Sequence, residues 1–343
     1  MPRPARLPLL VPLALLAAAA ACGPSDFGRG PGSRGASEAR GASGERGGIE
    51  TALADTAAPG AVVADQDTAL RSTAGTGVLI RFNLKGAPTR QVELPPALDE
   101  ISGIAFDARG RLFAHGDETG TIWRLDPATG RVLARFALTD ETGDGKGAGK
   151  GAVHADFEDI QVVGDRIWLV TSDGVLYETR EGADGERVPF TRYDTGLGKR
   201  CEVEGLTFDA STDALLLLCK HARTKAWDRE VIVLGFPLDR KQLEATPRIA
   251  VPFARLAPLT GEKAFHGSAF VRAPRSGNLV LIAGPQRAYA EVSSTGQVLG
   301  GGQLDRKYHR QPEGIAFAPD GSLLISDEAA GKRATVAAYT AKP

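Results

Sequence analysis

From about residue 77 onward, apolar positions recur in short runs of period two, each broken by Gly, Pro or Asp. That is the pattern of β-strands joined by tight turns. The clearest instance is Gln311 to Glu328. Ile315 and Phe317 alternate along a first strand, Pro319-Asp320-Gly321 makes a turn, and Leu323 to Ile325 form a second strand. Glu313 stands where the first strand begins, and Asp327-Glu328 where the second ends. Antiparallel pairing makes those two ends neighbours, so one hairpin predicts three acids at one sheet edge.

The same unit occurs four more times. Ser102-Gly-Ile-Ala-Phe106 precedes Leu112 to Ala114 and then Gly116-Asp117-Glu118. Glu158 to Val162 precedes Ile167 to Val170, Glu204 to Phe208 precedes Leu215 to Leu218, and His266 to Phe270 precedes Leu279 to Ile282. Aligned, the five units place Ser102, Glu158, Glu204, His266 and Glu313 at one equivalent position, with spacings of 56, 46, 62 and 47 residues. Such spacing fits four-stranded propeller blades with variable loops.

The chain is therefore expected to be all-β, a propeller of five blades, with six as the alternative. Outer strands are read at Ile122 to Leu125, Arg131 to Leu138, Val231 to Leu238, Ala288 to Val292 and from Gln297 onward. Two short strands, Val78 to Phe82 and Gln91 to Leu94, precede the first full hairpin. The last repeat has a third strand, Thr335 to Tyr339, and no obvious fourth. An N-terminal strand completing that blade would close the ring and remove its open edges.

The pattern upstream is different. Residues 1–21 carry Arg3 and Arg6 and then an apolar run from Leu7 to Ala21, too short to span a bilayer, which reads as a signal peptide. The run ends in Ala19-Ala20-Ala21-Cys22-Gly23, which resembles a bacterial lipobox with Ala19 where Leu is commoner. That resemblance implies a lipidated Cys22, a membrane anchor of several acyl chains, and a place in the cell envelope, at the outer membrane on its periplasmic or surface side. Residues 22–76 are rich in Gly, Ala, Ser, Arg and Glu, a composition expected of a flexible linker. The propeller domain then covers 77–343.

Charge narrows the partners. A net charge of −1 gives no electrostatic reason to expect nucleic acid, and the domain is expected to be a monomer. Asp140 to Ala152, a Gly-rich insertion with Lys146 and Lys150, lacks the Gly-Lys-Ser/Thr of a phosphate-binding loop. A second insertion, His221 to Glu230, carries Trp227 and is read as a face loop for recognition.

The acids carry the candidate chemistry. Glu158, Glu204 and Glu313 should converge near one mouth of the channel, where a cation would offset their repulsion. Oxygen ligands favour calcium or magnesium, and His266 would tilt the site toward a transition metal. Ser102, Asp117, Glu118, His266, Asp327 and Glu328 are expected around that mouth as binding residues. The competing reading pairs the glutamates with Lys220 or Arg200 as links between blades. His115, His154, His266 and His309 are candidate bases for metal-assisted hydrolysis of lactones or phosphoesters, but no catalytic residue is identified and no Gly-x-Ser-x-Gly or His-Glu-x-x-His motif occurs. Cys201 and Cys219 flank the third hairpin, and export makes a disulfide between them plausible.

Gln-Pro-Glu-Gly-Ile-Ala-Phe with a downstream Ser-Asp-Glu, together with Ser-Gly-Ile-Ala-Phe, Glu-Asp-Ile and Glu-Gly-Leu, resembles the SdiA-regulated family of exported bacterial propellers. The resemblance spans roughly Val78 to Tyr339 and implies a five-bladed propeller with a calcium site. The Gly-Ile-Ala-Phe element alone is shared with NHL, gluconolactonase-like and paraoxonase-like propellers. Two functions follow as expectations: a calcium-binding envelope lipoprotein acting as a recognition module for a small-molecule or protein ligand, or a calcium-dependent periplasmic hydrolase of lactones or esters.

Overall fold

The computed structural model describes residues 77–139 and 152–342. The expected signal peptide, Cys22, the linker and almost all of the Asp140 insertion lie outside the described residues.

The repeats fold into five antiparallel sheets. Blade 1 begins with Ile101–Phe106 and Leu112–Gly116, blade 2 with Phe157–Val163 and Arg166–Thr171, and blade 3 with Cys201–Asp209 and Ala214–Ala222. Blade 4 begins with Ala269–Arg272 and Leu279–Ala283, and blade 5 with Pro312–Phe317 and Leu323–Asp327. Every blade adds a third and a fourth strand outward, and blade 1 gains a short fifth, Arg187–Val188, running parallel to Val132–Leu138. The five first strands pack side by side, each against the next, around a central axis. Five blades, rather than six, therefore form the ring.

Closure follows the expected route. Arg90–Glu93 pairs antiparallel with Thr335–Tyr339 and becomes the outer strand of blade 5, so the first and last strands of the described propeller share one sheet. The other expected strand, Val78 to Phe82, is instead a single 3₁₀ turn, Leu79–Arg81. Its N–H groups find a side chain rather than a neighbouring strand. The fully buried Glu291 accepts from Val78 N at 2.7 Å, Leu79 N at 2.8 Å and Asn278 Nδ2 at 2.6 Å. A buried carboxylate with three donors is well satisfied, and here it ties the segment before the ring closure to blade 4.

Glycine sets how closely the first strands approach. The residue after the aligned position is Gly103, Gly205, Gly267 or Gly314 in four blades and Asp159 in blade 2. A Cβ on Gly205 would lie 2.7 Å from the Phe270 ring of blade 4, and one on Gly314 would lie 3.2 Å from Ile104 N of blade 1. The first is a collision and the second presses on a backbone that cannot easily give, so glycine permits this spacing. Asp159 uses its carboxylate instead, accepting from Leu206 N of blade 3 at 2.7 Å.

The His221 to Glu230 loop is mostly exposed, but its one aromatic residue is not part of that surface. Trp227 is buried, packed in the core between blades 2 and 3, with the Arg200 guanidinium 3.8 Å above its ring. Cys201 opens the first strand of blade 3 while Cys219 lies within the second, and their Cα atoms are 5.7 Å apart with the sulfurs bonded. Such a bridge is worth about 3 kcal/mol for a loop of this size in the chain-entropy model. Unfolding the unreduced protein should expose no thiol from this pair. Titration of thiols on the Cys22→Ala variant under denaturant is expected to read zero without reductant and two with it; two in both conditions would exclude the bridge.

Candidate functional site

The aligned position is a structural device. Ser102, Glu158, Glu204 and Glu313 are each the extra residue of a β-bulge, left without a partner on the second strand. A bulge bends its strand and re-aims the side chain it carries. Four blades therefore present their bulged residue at the same end of the channel, and three of those residues are glutamates. In blade 4 the ladder begins only at Ala269, so His266 precedes it. His266 donates its backbone N–H to Gln286, its Nδ1 lies 3.2 Å from Lys220 O, and its ring stacks on His221 at 4.2 Å. It borders the mouth without joining the glutamates through any hydrogen bond among the described residues.

Lys220, on the second strand of blade 3, stands among these acids. Its Nζ lies 2.8 Å from Glu204 Oε1. Burial opposes its charge, yet Glu204, Glu313 and Glu158 together hold its pKa above the usual lysine value. The acids themselves are strongly perturbed. Burial, then the charges of Glu204 and Asp156, push Glu158 up to about 10. Burial and Glu204 push Glu313 up to about 8, and burial raises Glu204 to about 7 against the pull of Lys220. Among the described residues no donor reaches the Glu158 carboxylate.

A second tier of acids surrounds the first. Burial, Asp117 and Glu100 push Glu328 up to about 7, while the Gln311 amide that bonds it pulls the other way. Burial and Glu118 raise Asp117, and Asp117 with Glu118 raises Glu100. Sequence reasoning does not single out Glu100, Asp156 or Gln311. Each stands immediately before the first strand of its hairpin, so the rule that finds Glu313 also reaches them once flanking residues are counted.

Asp327 belongs elsewhere. The sequence places it at the mouth beside Glu328, but adjacent strand residues point to opposite faces. Its carboxylate is buried, accepts from Gln311 N at 3.2 Å, and lies 2.8 Å from Nδ1 of the wholly buried His309. The other ring nitrogen of His309 lies 2.7 Å from the Tyr339 hydroxyl. This chain of three side chains links the turn before blade 5 to its third strand and removes His309 as a base for the mouth. His115 is also fully buried, and burial depresses its pKa to about 4. Its Nε2 has no partner among the described residues.

Fold and site thus define a five-bladed β-propeller whose channel has one acid-lined mouth with a lysine inside it. No family model matches the chain, and no curated protein matches it. Several solved structures resemble it in fold. A glutaminyl cyclase from Myxococcus xanthus shares 14% identity with a TM-score of 0.49, covering 74% of this chain and 95% of that one. A PQQ-bound aldose sugar dehydrogenase from Streptomyces coelicolor shares 12% identity at a TM-score of 0.46, covering 74% and 97%. A gluconolactonase from Xanthomonas campestris shares 17% at 0.41, covering 70% and 72%. Likeness at these values concerns the chain path, and no activity passes across it.

A carboxyl group whose pKa rises on folding keeps protons that the unfolded chain has released, so stability falls as pH climbs toward the folded pKa. Glu204 and Glu328 act in that direction up to about 7, Glu313 up to about 8 and Glu158 up to about 10. His115 and His221 have depressed values and oppose the slope only below about pH 7.5, where the unfolded imidazoles still take up protons. With chelator present, the melting temperature should therefore fall from about pH 7.5 to 8.5, and it should fall less in Glu158→Gln. A flat profile in the wild type would contradict the raised values.

Proposed function

We propose that this protein is an exported, lipid-anchored envelope propeller whose acidic channel mouth binds a cation, calcium by its donor chemistry, and serves as a recognition module. What supports the ion is one observation. Glu158, Glu204 and Glu313 occupy equivalent bulges, and burial and mutual charge hold their pKa values up. Crowded carboxylates in that condition, one buried and two part-buried, are a site where positive charge is worth most. The donor set is all oxygen, which suits a hard cation over a transition metal. Among the described residues no group of three acids, histidines or cysteines is closed up as a ligand set. Lys220 instead neutralises Glu204 in this arrangement, so ion binding requires its ammonium to leave Glu204. Glu158, Glu204 and Glu313 would hold the ion, which supplies charge for polarising an oxygen of a bound ligand. Export, anchoring at Cys22 and membership of the SdiA-regulated family rest on the sequence patterns alone.

A second reading is favoured by the spread of pKa values. Glu158 at about 10 stays protonated at neutral pH, while Lys220 favours the ionised form of Glu204, whose value is about 7. An acid and a base pushed apart in this way are what hydrolysis of a lactone or ester needs. A screen of lactones and aryl esters against wild type and Glu204→Gln separates the readings: turnover lost in the variant would favour the hydrolase.

The binding reading is tested by melting. Calcium at a hundredfold excess over its Kd should add about 2.7 kcal/mol of stability. Glu313→Gln should lose most of that gain while being as stable as wild type in chelator at neutral pH, because the amide stands in for a carboxyl that is already protonated there. A wild-type melting temperature indifferent to both calcium and chelator would overturn the proposal.

A further inference from the structure

The repeats carry a second recurring element of pattern that the acidic mouth does not use. Four residues after the aligned position the sequence has Phe106, Phe208, Phe270 and Phe317, with Val162 in blade 2. Four residues of strand cover about 13 Å, so these side chains sit near the opposite end of the first strands from the glutamates. There the four phenylalanines border an axial cavity of about 220 Å³ that all five first strands line, blade 2 through Ile160 and Gln161. Three of the phenylalanines, Phe106, Phe208 and Phe317, are only half-buried. A larger cavity of about 640 Å³ adjoins it and shares Phe106, Phe317 and Pro274 with it.

The wall of the larger cavity is fixed from behind. Val78, Arg81 and Phe82 form one side, and Phe82 stands 6.1 Å from the Phe317 ring. That segment is held by the buried Glu291, and its Arg81 carbonyl accepts from Lys342 N at 2.8 Å. The cavity is thus largely preformed, and its volume lies in the range that encloses small molecules.

Its charges are unequal. Arg81 donates through Nε to the Lys342 carbonyl, and Arg275 is exposed; neither has a carboxylate partner among the described residues. Asp107 is already matched by Arg111, which bonds it at 2.7 Å. Asp320, at the opposite rim, accepts from Ser322 N within its own turn. Two arginines with free N–H groups therefore face a chamber walled by aromatic rings, which is the recognition chemistry for one anionic group on an apolar body.

From this geometry we infer a second ligand site, at the channel end opposite the glutamates, for a small amphiphile with an aromatic or acyl body and a single carboxylate or sulfonate. The body lies against Phe82, Phe106 and Phe317 and its tip enters the axial cavity. The anionic group meets Arg81 and Arg275. This site is independent of any ion at the acidic mouth.

A matched pair of dyes tests it on the full chain: anilinonaphthalene sulfonate, and phenylnaphthylamine, which has the same rings without the sulfonate. The sulfonate dye should show saturable fluorescence enhancement at one site per chain. Arg81→Gln combined with Arg275→Gln should weaken it about tenfold, the loss expected for two partly exposed ion pairs, and leave phenylnaphthylamine unchanged. Ala108→Trp, an exposed lining position that would fill the chamber, should weaken both dyes. An unchanged cooperative melt certifies that each variant is folded. Absence of saturable binding, equal affinity of the arginine variant for the sulfonate dye, or indifference of both dyes to Ala108→Trp would each overturn the site.

Discussion

Everything distinctive in this propeller depends on how tightly its five first strands are drawn together around the axis. Glycine at four of the five crossing points allows backbone to pass where a Cβ would press on the next blade, as at Gly205 against Phe270 and Gly314 against Ile104. Asp159 replaces the missing glycine with a hydrogen bond to the neighbouring blade. Strands held that close leave little room inside the channel for the residue just before each crossing point. A bulge lifts that residue out to the mouth, and three blades place a glutamate there. The packing that closes the ring thus fixes where these side chains emerge, the sequence makes three of them acidic and one, Ser102, neutral, and Lys220 pairs with Glu204 among them.

The same packing explains why so much of the architecture was legible in the sequence. A polar residue, then glycine in four of the five units, then alternating apolar residues leaves a readable trace, and it locates the inner hairpins and the count of five. Closure was legible because Thr335 to Tyr339 lacks a fourth strand downstream. Val78 to Phe82 has apolar residues that look like a strand, while the partner that makes it a turn, Glu291, lies more than two hundred residues away. Trp227 is hidden for a similar reason: within a charged loop, nothing local shows that one aromatic residue packs inward beneath Arg200.

The site divides along the same line. Glu158, Glu204 and Glu313 are near in space because they are equivalent in the repeat, and equivalence can be read from one sequence. Asp327 departs because its partner, His309, comes from a turn with no repeat counterpart. His266 holds the equivalent position, yet its blade starts its ladder late and the ring turns to His221 and the Lys220 carbonyl. Burial and mutual charge, which decide what the acids do, depend on three-dimensional crowding that no spacing records.

In the proposed function the bulged glutamates hold a cation in place of the protons they otherwise keep. Calorimetric titration of calcium into the full chain at neutral pH, repeated in buffers of different ionisation enthalpy, measures that exchange directly. Glu158 and Glu313 carry protons at that pH, so binding should release about two protons per ion and the observed heat should vary with the buffer. No binding heat in any buffer, or a heat identical in all of them, would contradict the account.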